Sequence, residues 1–312
     1  MRDSTNIVLL CAGKIGYRCL QCLLGLDMVN LIAVFSYQVE TPQEEYLALI
    51  QEIGYQYSIP VFEAANVGKE EYRELWEKLR PDYIFAIKWR TMVPQWVIDL
   101  SRHGLIIFHA SLLPKYRGFA PINWVIINSE EETGVTMFYA AEEVDAGDII
   151  DQREIPILDT DDAATLDAKI TEMVEQMLME NLPRLADGTA PRIPQDHSQA
   201  TYAIWRSPEN GRIDWNQPTR TILNLIRGLT YPYPGAFTFL DSRKFIIWSA
   251  EIEPAQRRYV GNIPGKVEQI IPGVGVNVLT QDGILCIKYV QLEGDERRNA
   301  SEIIKRLKTK LG

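Results

Sequence analysis

The chain has 312 residues, enough for one large domain or two of ordinary size. Its 46% hydrophobic and 24% charged residues are normal globular usage, which argues against extended disorder. A formal net charge of −10 argues against a general binder of phosphate backbones, which carries a basic footprint, and leaves room only for a local basic pocket. The opening MRDSTNIVLLCAGK has too short an apolar run for a signal peptide. No window approaches the ~18 consecutive apolar residues of a membrane span. A soluble, cytoplasmic protein without membrane association is expected.

In chain order, residues 6–12 (NIVLLCA) read as a buried strand and 15–26 as a helix. The four cysteines are Cys11, Cys19, Cys22 and Cys286. Cys19 and Cys22 resemble a redox or zinc pair, but no second pair follows at ligand spacing, so core thiols and no metal are expected. A strand over 30–36, a helix near 43–57, a strand in PVFEA, a helix over 69–79 and a strand over 82–87 follow. Strand and helix in alternation imply parallel strands joined by crossover helices, with ligands beyond the carboxyl ends of the strands. Gly13-Lys14-Ile15-Gly16 lacks the spacing of a dinucleotide fingerprint, and Phe35-Ser36-Tyr37 offers no acid for a ribose. These glycines are read as letting the chain turn into its helix.

The strand GLIIF, 104–108, ends on His109, one of three histidines. A turn with Ser111, Lys115, Tyr116 and Arg117 follows, a hydroxyl and two cations suited to an anionic substrate or to a solvated loop. Further on, Glu143-Val144-Asp145-Ala146-Gly147 sets a carboxylate before a glycine turn. Such a carboxylate can orient a histidine and raise its basicity, or simply form the turn. A helix over about 161–186 starts after the capping cluster DTDDAAT. Residues 186–202 (ADGTAPRIPQDHSQATY) look like a domain linker. Beyond it come a helix over 219–229 and several short strands separated by glycines, as in a small antiparallel barrel or sandwich. ASEIIKRLKTK reads as a closing basic amphipathic helix.

Three stretches, IFAIKWRTMVP, HASLLPKYRGFAPINW and ETGVTMFYAAEEVDAGDII, together resemble the formyltetrahydrofolate-dependent formyltransferases. The resemblance runs nearly the full length. IDWNQPTRTILNLIRGLTYPYPGAFTFL and KFIIWSAEI are similar to the carboxyl-terminal domain of methionyl-tRNA formyltransferase. They are at least as similar to the formyltransferase region of the enzyme that modifies UDP-4-amino-4-deoxy-arabinose. The implied fold is α/β: a Rossmann-like formyltransferase domain with a mostly parallel sheet over 1–200, then a smaller OB-like β-barrel domain over 201–312. The implied reaction transfers a formyl group from 10-formyltetrahydrofolate, a co-substrate, to an amine.

The family's Asn-x-His and later Asp fall, residue by residue, on Ile107, His109 and Asp145. Ile107 breaks the pattern, because it supplies no amide donor to the oxyanion. Losing such a donor typically costs on the order of 100- to 1,000-fold in turnover. By the same resemblance Lys88, Trp89, Arg90, Met92 and Val144 line the folate side, and Ser111, Lys115, Tyr116 and Arg117 face the acceptor. Methionyl-tRNA formyltransferases of bacteria carry a basic insertion after the second strand, whereas here SYQVETPQEEYLALIQEIG is acidic. The expected acceptor is therefore a nucleotide-linked amino sugar, with initiator tRNA as runner-up and nucleic acid otherwise not expected. A weakly active folate- or nucleotide-binding homologue is the alternative that Ile107 keeps open. Related sugar enzymes often pair through their carboxyl-terminal domains, which implies a homodimer.

Overall fold

The structure is a computed structural model and describes residues 4–39, 46–254 and 259–312. The chain separates into two compact units. One comprises Met1–Gly118, Gly134–Ile155 and Lys169–Tyr202, and the other Phe119–Thr133, Pro156–Ala168 and Ala203–Gly312.

The amino-terminal part runs β1 (Thr5–Cys11), α1 (Gly13–Leu24), β2 (Val29–Ser36), α2 (Tyr46–Tyr57), β3 (Val61–Glu63), α3 (Arg73–Leu79), β4 (Tyr83–Ile87), α4 (Gln95–Ile98) and β5 (Leu105–His109). It continues through β6 (Arg117–Gly118), α5 (Pro121–Ile127), β7 (Glu132–Tyr139), β8 (Ile149–Pro156), α6 (Ala163–Ala186) and β9 (Tyr202–Ala203). Seven strands form one sheet in the order β3-β2-β1-β4-β5-β7-β8. The pairs among β1 to β5 are parallel, while β7 lies antiparallel to β5 with His109 opposite Thr136. This is the mixed, mostly parallel Rossmann-like sheet expected.

Every residue of β4 is buried, as befits a strand covered on both faces. The core on one face centres on Trp76, stacked on Phe35 at 5.2 Å and 7°. The strand order reverses between β1 and β4, which opens a crevice beyond their carboxyl ends. Gly13 and Gly16 serve the turn there. Gly13 holds φ +65°, and a Cβ on Gly16 would stand 2.9 Å from the Cys11 Cβ. Only glycine lets the helix start so close to the strand it leaves.

The second unit holds α7 (Thr219–Leu229), β10 (Ala236–Leu240), β11 (Arg243–Ile252), β12 (Val267–Ile271), β13 (Gly275–Leu279), β14 (Ile284–Leu292) and α8 (Ala300–Ile303). Its strands pair antiparallel along β10-β11-β14-β13-β12, the OB-like sheet expected. Alternate residues such as Phe245 and Ile247 bury against Ile222 and Ile226 of α7.

Four expectations need comment. The helix over 69–79 opens as a 3-10 turn, Glu70–Tyr72, before α3. Residues 43–45, expected to open the second helix, lie outside the described residues. Residues 186–202 are not a free linker: Ile193 bridges to Ile149 in both directions and Thr201 O accepts from Arg117 N, so backbone groups that a linker would leave to water are bound. The basic tail is not a long helix either. α8 stops at Ile303, and beyond it Thr309 O accepts from Val267 N and Leu311 N donates to Gly265 O, so these backbone groups bond across to another segment and not along a helix. The cap expected for α6 forms, with Asp162 Oδ1 accepting from the amides of Ala164 and Thr165 at 3.0 and 2.9 Å. Among the described residues no helix is long and apolar enough to cross a membrane.

Candidate active site

β5 carries apolar residues as far as Phe108 and then delivers His109 at its carboxyl end, where only a tenth of the side chain is exposed. The imidazole meets two oxygens. Its Nε2 lies 2.8 Å from Tyr116 O, and its Nδ1 lies 3.5 Å from Asp145 Oδ2. A carbonyl can only accept, so Nε2 carries a hydrogen and donates it. Nδ1 then faces the Asp145 carboxylate.

Asp145 comes from the loop between β7 and β8, 36 residues later in the chain. It holds φ +53°, left-handed for a residue with a Cβ. Its Oδ2 accepts from Gly118 N at 2.8 Å, so the main chain just after the histidine's own turn fixes the carboxylate. Two residues on, a Cβ on Gly147 would sit 1.8 Å from Tyr139 O, so the loop can close against β7 only with glycine at that point. Sequence spacing could not show that the two groups meet; the fold brings them together.

Ile107 lies two residues before His109 and opposite Ala86 and Phe138 in its sheet neighbours. It is half-buried and packs with Trp89 and Ala140 against the apolar cluster of that sheet face. Nothing in its side chain can donate to an oxyanion.

The segment after β4 begins at Lys88, again left-handed at φ +55°. Trp89 follows, edge-on to Tyr37 with ring centroids 5.2 Å apart, and the Tyr37 hydroxyl donates to Lys88 O. Burial pushes the Tyr37 phenol above its ordinary range, with Arg90 opposing. The buried Trp89 Nε1 has no hydrogen-bond partner within the protein. An indole N–H can only donate, so it suits a ligand that brings an acceptor. Arg90 and Met92 are exposed, Met92 at 65%, and Val144 of the Asp145 loop is exposed as well.

The turn after His109 divides its residues differently from the expectation. Lys115 is exposed and Tyr116 half-buried, whereas Ser111 and Arg117 are fully inside. Ser111 Oγ donates to Lys115 O at 2.7 Å and so closes the turn. Arg117, 1% exposed, donates to Gln195 Oε1 at 2.7 Å and Glu143 Oε1 at 3.3 Å and lies 3.1 Å from His197 Nδ1. Its charge is met by protein groups instead of standing at an entrance. The sequence reading gave Glu143 no role and missed Gln195, His197 and Tyr202, whose hydroxyl donates to Glu143 at 2.9 Å. The one available signal was a run of polar residues, PQDHSQATY, which turn chemistry explains equally well. Among the described residues no group of three or more His, Cys, Asp and Glu could hold a metal ion.

A model of the family described as formyl transferase matches residues 21–182, and one described as formyl transferase, C-terminal domain, matches 206–308. The chain belongs to the formyl transferase family. Several solved structures share the fold of this formyl transferase. HypX from Aquifex aeolicus, solved in complex with tetrahydrofolic acid, is 21% identical with a TM-score of 0.66 over 98% of this chain and 48% of its own. The formyl transferase therefore spans about half the length of HypX. An N-formyltransferase from Helicobacter canadensis, solved with folinic acid and dTDP-3-aminofucose, is 21% identical with a TM-score of 0.71, covering 92% of this chain and 100% of its own. A 4-N formyltransferase from Francisella tularensis is 20% identical with a TM-score of 0.61, over 76% and 93%.

Proposed function

We propose that this formyl transferase moves a formyl group from 10-formyltetrahydrofolate to the amino group of a nucleotide-linked amino sugar. The observation that carries the reaction is the meeting of His109 and Asp145 at the carboxyl end of β5. In the reading, the amine attacks the formyl carbon, a C–N bond forms, and the bond from that carbon to the folate nitrogen breaks. The proton that the amine sheds balances the one the departing folate nitrogen gains. His109 is the group placed to carry it, with Asp145 holding the ring. With isoleucine at 107, no side chain at that position offers an amide to the developing oxyanion.

The folate side is assigned to Lys88, Trp89, Arg90, Met92 and Val144. The unpartnered Trp89 Nε1 fits a pterin, whose 4-carbonyl and ring nitrogen can accept. Lys115 and Tyr116 are assigned to the acceptor side. The acceptor class rests on the Helicobacter canadensis relative, solved with an amino sugar nucleotide, and on the net charge of −10, which opposes a polyanion such as tRNA. Purified protein incubated with 10-formyltetrahydrofolate and a panel of dTDP- and UDP-linked amino sugars tests the reading by mass spectrometry. A 28 Da gain on one sugar nucleotide, lost in His109→Ala, is the expected result; that mass is about one CO unit, the formyl group in place of a hydrogen. Formylation of charged initiator tRNA alone, or tight binding of both ligands without turnover, would overturn it.

A further inference from the structure

We propose that Gln195 is a positioning residue for the His109–Asp145 pair, acting through the main chain of the 143–147 loop. The proposal rests on the reading of that pair as the reacting groups. Gln195 sits in the stretch 186–202 and is 6% exposed. Its Nε2 donates to Asp145 O at 2.9 Å and to Gly147 O at 2.8 Å, so one amide brackets the turn that carries the carboxylate. Its Oε1 accepts from the Arg117 guanidinium at 2.7 Å. The two carbonyls can only accept and the guanidinium can only donate, so chemistry alone fixes which end of the amide is which.

The same guanidinium reaches Glu143 at 3.3 Å, in the same loop. Arg117 follows His109 by eight residues, and the next residue, Gly118, donates to the Asp145 carboxylate at 2.8 Å. The histidine's turn therefore grips the Asp145 loop by its side chain, and Gln195 grips it by its main chain. Asp145 is left-handed, a state that an unrestrained residue with a Cβ readily leaves. Rotation there would swing the carboxylate away from Nδ1. Only an amide supplies two hydrogens and one acceptor in this planar spacing; a glutamate would set a charge against two carbonyl oxygens.

The test uses Gln195→Glu, isosteric and still an acceptor for Arg117, with Gln195→Met as an uncharged second variant should the first not fold. For both, kcat is expected to fall about 10- to 100-fold, the usual effect of a misplacement near 1 Å. KM for the acceptor should stay within about twofold, because neither Gln195 nor the loop it brackets is assigned to that ligand. In an Asp145→Asn background the same substitutions should cost nothing further, since their effect passes through Asp145. Equal losses in both backgrounds, or an unchanged kcat, would overturn the proposal. A second readout needs no turnover: 15N resonances of the His109 ring in the resting protein. Gln195→Glu should move them in the direction that Asp145→Asn does, and unmoved resonances would sink the inference. If the wild-type protein formylates nothing, the proposed function falls, while the ring resonances still decide whether Gln195 sets the pair.

Discussion

At position 107 the strand that delivers His109 carries an isoleucine packed beside Trp89 and Ala140, on the same sheet face as the histidine because strand side chains alternate. Ile107→Asn would place an amide next to the reacting carbon, at the cost of a polar group in a half-apolar setting. Turnover is expected to rise, by as much as the order of 100-fold if the donor is truly lacking. Stability should fall by about 1–3 kcal/mol, read as a lower Tm, from burying an amide. An unchanged rate would show that another donor already serves the oxyanion. Asp145→Asn removes the charge that faces Nδ1 while keeping an oxygen for Gly118 N. Turnover should fall on the order of 100-fold or more while binding of a folate analogue, read by calorimetry, changes little.

Elements meet the site through a few close approaches. Gly147 lets the Asp145 loop close on β7, so Gly147→Ala must push Tyr139 O or the loop itself away. The expected outcome is loss of formyl transfer with the secondary structure intact by circular dichroism. A different element illustrates stability and pH. α7 begins at Thr219 with no side-chain cap from its own preceding residue, Pro218. Asp282 supplies the acceptor instead, 2.8 Å from both Thr219 N and Thr219 Oγ1. Hydrogen bonding by the Thr219 amide holds the Asp282 carboxyl below its ordinary range. A carboxyl whose folded pKa is depressed stabilises above its unfolded value, near 3.9, and that contribution disappears as pH falls through the folded value. Asp282→Ala should therefore cost about 0.5–1 kcal/mol at pH 7, toward the low end because the group is exposed to solvent. Denaturant melts should show the gap between variant and wild type narrowing below about pH 4.

On the scale of the whole molecule, the thiols report how the cores close. Cys11, Cys19 and Cys286 are buried and Cys22 is half-buried, with no disulfide among them. Burial pushes all four thiols upward, which withholds the reactive thiolate. A thiol reagent at pH 8 should label Cys22 slowly and the other three only once the protein is unfolded in guanidinium. Fast labelling of Cys11 would contradict its complete burial at the end of β1. Of the two core thiols expected from the helix spacing, Cys19 is buried, while Cys22 is only half-buried.

Much of this architecture is legible in one dimension, for a physical reason. Strand and helix periods, caps and glycine turns are local, so NIVLLCA, DYIFAI, the DTDDAAT cap and the GKIG turn each announce their element within a few residues. His109 at a strand tip was legible for the same reason, and Ile107 beside it. The basic tail misled because amphipathic spacing does not reveal that the backbone of Thr309 and Leu311 bonds to the distant Val267 and Gly265. Residues 186–202 misled because glycine, proline and serine mark any turn-rich segment, docked or free. What amino-acid order alone determined was the sequence of elements and the identity of the residue at each strand end. Only the tertiary structure decided that Asp145 faces His109, that Arg117 is turned inward, and that Gln195 brackets the loop between them. Those contacts join residues dozens of positions apart, and a hydrogen bond depends on distance in space, which chain position does not encode.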